Sequence, residues 1–174
     1  MLESSNKRFD QIYDEFHTLV RNVIYNMVDD EALDDLVQEA FLRIWTGLPR
    51  FAFRSTIKTW VYRVSINTAI DHLRKSKVRP SLSYPEWNEI SSESFGAAAP
   101  ARNLMIDPEV AIQRALNALD ENHRSVVVLH YFEELKLEMI SKILDLPVGT
   151  VKSRLYHAKA KLKDLLRMEG VFCG

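Results

Sequence analysis

The sequence predicts an all-α protein made of two small helical domains joined by a flexible linker. Three observations carry that expectation. Apolar residues recur three and four positions apart rather than in strand alternation, glycine is scarce at five in 174 residues, and one central stretch loses all periodicity and fills with proline and serine. Hydrophobic residues make up 47% of the chain and include three Trp and eight Phe, enough apolar side chain to bury in a core.

The first helix is expected over about 7–27, where Phe9, Ile12, Phe16, Leu19, Val23 and Met27 form one stripe that Tyr13, Val20 and Ile24 widen. A second, about 30–46, stripes Leu36, Val37, Ala40, Phe41, Ile44 and Trp45 before "TGLP" stops it with Gly47 and Pro49. A third runs from about Thr56 to Lys75, with Ile57, Trp60, Val61 and Val64 beginning its inner face. These three make a bundle, and the first domain is placed at 1–76.

From Ser76 to Pro108 lie four of the six prolines and six serines, so 77–107 reads as a tether. A coil of that length spans roughly 30 Å r.m.s. and stretches to about 100 Å, far enough to hold two domains apart on a long partner. Tyr84, Trp87 and Phe95 are apolar enough to bind something along the way.

Helical patterning returns in the second domain, 108–174. Asp107 is placed to cap a helix with Pro108 at its first position. Ile112, Ala115, Leu116 and Leu119 stripe that helix, and Val126, Val127, Leu129, Tyr131 and Phe132 crowd the next. Ile140, Ile143 and Leu144 then face inward on a short helix, "DLP" turns the chain, and a longer helix starts near Val148, which is a helix-turn-helix pattern.

Composition narrows the function. The apolar runs are far shorter than the roughly 20 residues a membrane span needs, and "MLESSNKRFDQ" lacks the apolar core of a signal peptide, so the protein is expected in the cytosol. Cys173 has no cysteine to pair with, and five His without paired Cys offer no zinc spacing; no metal and no cofactor are expected. No nucleophile-base pair, paired carboxylates or glycine-rich phosphate loop supports an enzyme.

The net charge of -1 conceals sorted charge. Between Asp29 and Glu39, "DDEALDDLVQE" has six acids and no base; between Arg50 and Arg79 there are eight bases against Asp71 alone. Such blocks are often no more than solvated faces. The second block, however, interleaves Phe51, Phe53, Trp60, Tyr62 and His72 with Arg54, Lys58, Arg63, Arg74 and Lys75, a mixture suited to single-stranded nucleic acid because rings stack on unpaired bases while cations follow the backbone. The plainer alternative is that Trp60 and some Phe residues are core.

A second basic stretch, "PVGTVKSRLYHAKAKLK", opens the last helix. Val151, Leu155, Ala158 and Leu162 share its buried face, which leaves Lys152, Ser153, Tyr156 and His157 outward, the placement of side chains that read a major groove. Lys159, Lys161 and Lys163 lie further on, where they would meet backbone phosphate. An ordinary bundle helix has the same pattern.

Three stretches in order, "DDLVQEAFLRIW", "FRSTIKTWVYRVSINTAIDHLRK" and "SKILDLPVGTVKSRLYHAKAKL", resemble the extracytoplasmic-function sigma factors of bacterial RNA polymerase. The last alone also resembles response-regulator output domains. The resemblance implies that the first domain is sigma region 2 and the second is sigma region 4. It implies that Asp34, Asp35, Leu36, Gln38, Glu39 and Phe41 dock on the β′ clamp helices. It further implies that Trp60, Tyr62, Arg63, Asn67, Asp71 and Arg74 face the -10 element, within a block from Arg54 to Lys75 that includes Lys58. Thr150, Lys152, Ser153, Arg154, Tyr156 and His157 would read the -35 element. An anti-sigma factor is an implied partner, and the linker would pass near the RNA exit path.

The chain departs from the family pattern in "LDENHR", where "LP" is usual, in "MIS" for "EIA", and in His157 for a common Arg, which puts the -35 preference in question. Two other readings stay open. A stand-alone operator-binding regulator would use only the last helix, and a sigma-like protein could dock on polymerase without melting DNA.

Overall fold

The computed structural model describes residues 2–28, 30–52, 55–78 and 107–168. Arg54, Phe53, the linker aromatics Tyr84, Trp87 and Phe95, and Cys173 lie outside them. All regular structure among the described residues is helical. α1 (Leu2–Met27) leads through a 3-10 turn at Asp30–Ala32 into α2 (Leu33–Gly47); a second 3-10 turn at Leu48–Arg50 precedes α3 (Ile57–Val78). The second unit contains α4 (Pro108–Asn117), α5 (Glu121–Val127) with a π-helical continuation at Val128–Phe132, α6 (Leu137–Leu144) and α7 (Val148–Met168). No helix among the described residues is long and apolar enough to cross a membrane.

The stripes of the first unit bury largely as their spacing dictates. Ile12, Phe16, Val20, Val23, Ile24 and Met27 of α1 meet Leu36, Val37, Ala40, Phe41 and Ile44 of α2 in the core. Trp45, expected on the inner stripe, is 37% exposed, and Tyr13 lies outward too. On α3 the inner face is shifted from the expected one: Val61 is buried, but Tyr62, Ile66 and Ala69 join it while Ile57, Trp60 and Val64 are half-buried. Thr59, Ser65 and Thr68 are buried as well. The hydroxyls of Ser65 and Thr68 donate to the carbonyls of Val61 and Val64, four residues back, so their burial leaves no polar group unmatched.

Capping sets the boundaries of the second unit. Asp107 accepts from the Glu109 amide at 3.0 Å with Pro108 at the first helical position, and Asp120 accepts from the amides of Asn122 and His123 at 3.1 Å. α6 ends on Asp145 in the left-handed region, φ 54°, a conformation that Asp tolerates; this residue makes the turn of the helix-turn-helix. Ala111, Ala115 and Leu116 bury α4, while Ile112, expected on that stripe, is 40% exposed, as are Tyr131 at 50% and Phe132 at 42%.

The two units pack together. One apolar cluster runs without interruption from α1, α2 and α3 into Val126, Val128, Leu129, Ile140, Ile143 and Val151, and a smaller one joins Leu116, Leu119, Val127 and Ala158 inside the second unit. At the seam sits Arg124, 5% exposed, which sequence patterning gave no reason to place inside. Its guanidinium donates to the Met27 carbonyl at the end of α1 at 2.6 Å, and to the Asn117 carbonyl, the Asn117 side chain and the Leu119 carbonyl of the α4–α5 turn. A buried charge is tolerable only when it is bonded; here the two terminal nitrogens make all four of these hydrogen bonds and the buried Nε makes none. Arg124→Met removes the donor from buried carbonyls and is expected to lower unfolding free energy by about 3 kcal/mol, read from urea denaturation followed by circular dichroism.

Candidate nucleic-acid interface

Burial of Leu33, Leu36, Val37, Ala40, Phe41 and Ile44 fixes the rotation of α2 and turns its acids outward. Asp34, Asp35 and Gln38 are exposed and Glu39 is half-buried. Leu36 and Phe41, from the same sequence-predicted set, are only 4% and 5% exposed and hold the helix rather than present themselves. Leu42 is 65% exposed, and with Trp45 it extends the acidic face into apolar surface. Sequence reading passed over Leu42, although it follows Gln38 by one helical turn. Asp34 is paired with Arg21 of α1 at 2.7 Å on the surface.

Arg43 ties this face to the next helix. Its guanidinium contacts Glu39 Oε1 at 2.6 Å and Asp71 Oδ2 of α3 at 2.8 Å, so one cation links an acid on the outer face of α2 to α3. The Asp71 hydrogen bond, against partial burial, holds the Arg43 guanidinium above its ordinary pKa.

The sequence-predicted residues of α3 do not share one surface. Lys58, Asn67, Arg74 and Lys75 are exposed, Arg63 and Asp71 are partly so, and Tyr62 is 4% exposed. Trp60 is half-buried against the first core, its ring 5.1 Å from that of Phe51. A Cβ on Gly47 would come within 2.8 Å of Trp60 Cζ2, so glycine is what lets the ring lie on the end of α2. Tyr62 donates its hydroxyl to Glu133 Oε2 at 2.9 Å, and burial, together with that carboxylate, pushes its pKa well above the usual tyrosine value. The proton stays on Tyr62 throughout the physiological range.

α7 presents the clearest external surface. Val151 and Ala158 are fully buried and Leu155 and Leu162 half-buried, which sends Lys152, Ser153, Tyr156, His157, Lys159 and Lys161 outward. Tyr156 is 72% exposed, too open for a packing role. Thr150 is half-buried; Arg154 is partly held by Asn122 Oδ1 at 3.4 Å, and Lys161 lies 3.8 Å from Asp120. Burial pushes the Asp120 carboxyl up, but hydrogen bonds from His123 outweigh it and leave the pKa below the ordinary value. The helix therefore carries a polar, cationic strip about three turns long, the shape and charge that a duplex groove accepts.

Comparison with known proteins agrees with this layout. The family model for sigma-70 region 2 matches residues 12–79, and that for sigma-70 region 4 matches residues 109–162. The ECF RNA polymerase sigma factor SigW of Bacillus subtilis (strain 168) is 30% identical over 166 residues, covering 91% of this chain and 89% of that protein. The ECF RNA polymerase sigma-E factor of Escherichia coli (strain K12) is 29% identical over 177 residues, 95% and 92% of the two chains. Among solved structures, the sigma factor RpoE of Bartonella quintana, in complex with the anti-sigma factor NepR, has the same fold at TM-score 0.68 and 24% identity, over 92% of this chain and 98% of that one. CnrH, in complex with the cytosolic domain of CnrY, aligns at TM-score 0.64 and 20% identity over 94% and 90%.

Gly47→Ala is expected to displace the Trp60 ring, costing about 1–3 kcal/mol as an overpacking change and altering the near-ultraviolet circular dichroism of the folded protein.

Proposed function

This chain belongs to the extracytoplasmic-function sigma factors of bacterial RNA polymerase, and from that membership we propose how its surfaces divide the work of initiation. It is a transcription-initiation factor that binds core polymerase and directs it to promoters. In the proposed assignment, residues 1–76 serve as region 2 and 108–174 as region 4, with 77–107 as the linker.

The outer face of α2, with Asp34, Asp35, Gln38, Glu39, Leu42 and Trp45, docks on the β′ clamp helices. Leu36 and Phe41 act from within by fixing that face. α3 receives the -10 element through Lys58, Trp60, Tyr62, Arg63, Asn67, Asp71, Arg74 and Lys75, preceded by Arg54. α7 reads the -35 element: Thr150, Lys152, Ser153, Arg154, Tyr156 and His157 stand at the reading positions, and Lys159 and Lys161 stand over phosphates. The work consists of binding and positioning with no catalytic centre, and it takes place in the cytoplasm with the polymerase. An anti-sigma factor is a further proposed partner, as it is for the Bartonella protein.

The observation that carries this assignment is the outer face of α2, where exposed acids adjoin exposed Leu42 and Trp45. A stand-alone operator-binding protein has no use for such a face, whereas apolar anchors rimmed by charge are what a protein docking site needs. Asp35→Lys with Leu42→Ala is expected to weaken binding to purified core polymerase at least tenfold, about 1.4 kcal/mol, with the helical circular dichroism unchanged. Equal affinity of parent and variant would refute the docking assignment. Lys152→Ala with Tyr156→Ala should leave core binding intact and reduce the yield of promoter-specific transcripts several-fold in reconstituted initiation.

A further inference from the structure

Two helix faces of this chain are exposed, opposite in charge and matched in spacing. Glu31, Asp35, Gln38 and Leu42 recur four, three and four positions apart, so they fall near one line along α2 and the turn that leads into it, with Trp45 just beyond. On α7, Lys152, Tyr156, Lys159 and Lys163 recur at the same intervals. All of these side chains are exposed, Leu42 at 65% and Tyr156 at 72%. Each helix spends its other side within the chain, where α2 packs on α1 and α3 and α7 packs on α4, α5 and α6.

Laid side by side and antiparallel, the two lines each run roughly 16 Å and their members correspond. Glu31 falls opposite Lys163, Asp35 opposite Lys159, and Gln38 opposite the Tyr156 hydroxyl. The aliphatic stem of Lys152 then covers Leu42, with its ammonium toward the Trp45 ring. This register opposes no like charges. A parallel register would keep only one acid-base pair, Glu31 with Lys152, and would set Lys163 on Leu42. The antiparallel one also brings the amino end of α2 to the carboxyl end of α7, where the helix dipoles attract.

We propose that these faces bind each other between copies of this chain, the acidic line of α2 on one copy seating on the basic line of α7 on another. A second copy is the occupant because it supplies the complementary charge, the matching spacing and the apolar contact together. The net charge of -1 leaves little overall repulsion to oppose association. A single pair of helices this long buries well under the ~1,200 Å² of a stable interface, so the contact is weak and yields to a larger partner. The same faces are assigned above to core polymerase and to the -35 element, so self-association withholds both at once. That consequence rests on the assignment; the contact between copies does not.

The test is sedimentation velocity of the full chain with Cys173→Ser, which removes disulfide-linked dimers. Concentrations span roughly 1–100 µM, the range of weak contacts, at about 50 and about 500 mM NaCl, whose Debye lengths lie either side of 10 Å. The weight-average sedimentation coefficient is expected to climb with concentration at the lower salt and to stay at the monomer value at the higher. Glu31→Lys with Asp35→Lys, or Lys159→Glu with Lys163→Glu, should each abolish the climb. A chain with all four substitutions keeps the net charge of the parent and exchanges the signs across the contact, so it should associate again. Asp35→Lys with Lys159→Glu exchanges one pair alone and provides a second rescue. A parent that stays monomeric at the lower salt, single-face variants that still associate, or failure of both exchanged chains to associate would overturn the proposal.

Discussion

α3 is packed from two sides, and the rest of the molecule is arranged around that constraint. Val61, Ile66 and Ala69 are fully buried in the cluster shared with α1 and α2, while Thr59, Tyr62 and Arg63 meet α6 and the turn before it. A helix covered on two faces would ordinarily be apolar nearly all round. Here Ser65 and Thr68 are buried with their hydroxyls bonded to their own helix, and Arg63 spends its donors on carbonyls. The helix therefore stays polar enough to face nucleic acid and can still pack.

Charge is sorted so that one small protein presents different surfaces to different partners. The acids of α2 and the bases of α7 sit on opposite units, and the bases of α3 lie between them. Arg43 connects α2 with α3 by holding Glu39 and Asp71 at once. Arg124 does the corresponding work between units, where it gathers the end of α1 and the α4–α5 turn around one buried guanidinium. Surface ion pairs such as Arg21–Asp34 add little by comparison.

Much of this was legible from periodicity. The stripes of α1 and α2, the Asp107–Pro108 start of α4, the turn at "DLP" and the outward set of α7 follow from spacing and capping chemistry that act within a few residues. What periodicity could not show depends on contacts distant in sequence. Tyr62 and Arg63 read as part of a solvent-facing cationic helix because Glu133 and the end of α6 lie about 70 to 80 residues away. Arg124 sits in "ENHRS", a run with no apolar signal, and its burial depends on carbonyls of another helix. Leu42 and Trp45 are the converse, apolar residues left outside because the stripe beside them already fills the core. Their exposure is what supports the proposed docking role of α2 over that of an ordinary bundle helix.

The account turns on the chain giving core polymerase a promoter specificity that it lacks alone. The most direct measurement is run-off transcription of pooled genomic promoter fragments by purified core polymerase, with and without this protein, followed by sequencing of the transcripts. Discrete start sites that depend on the protein and share two upstream motifs are the predicted result. Core polymerase that binds the protein yet starts nowhere new would contradict the account.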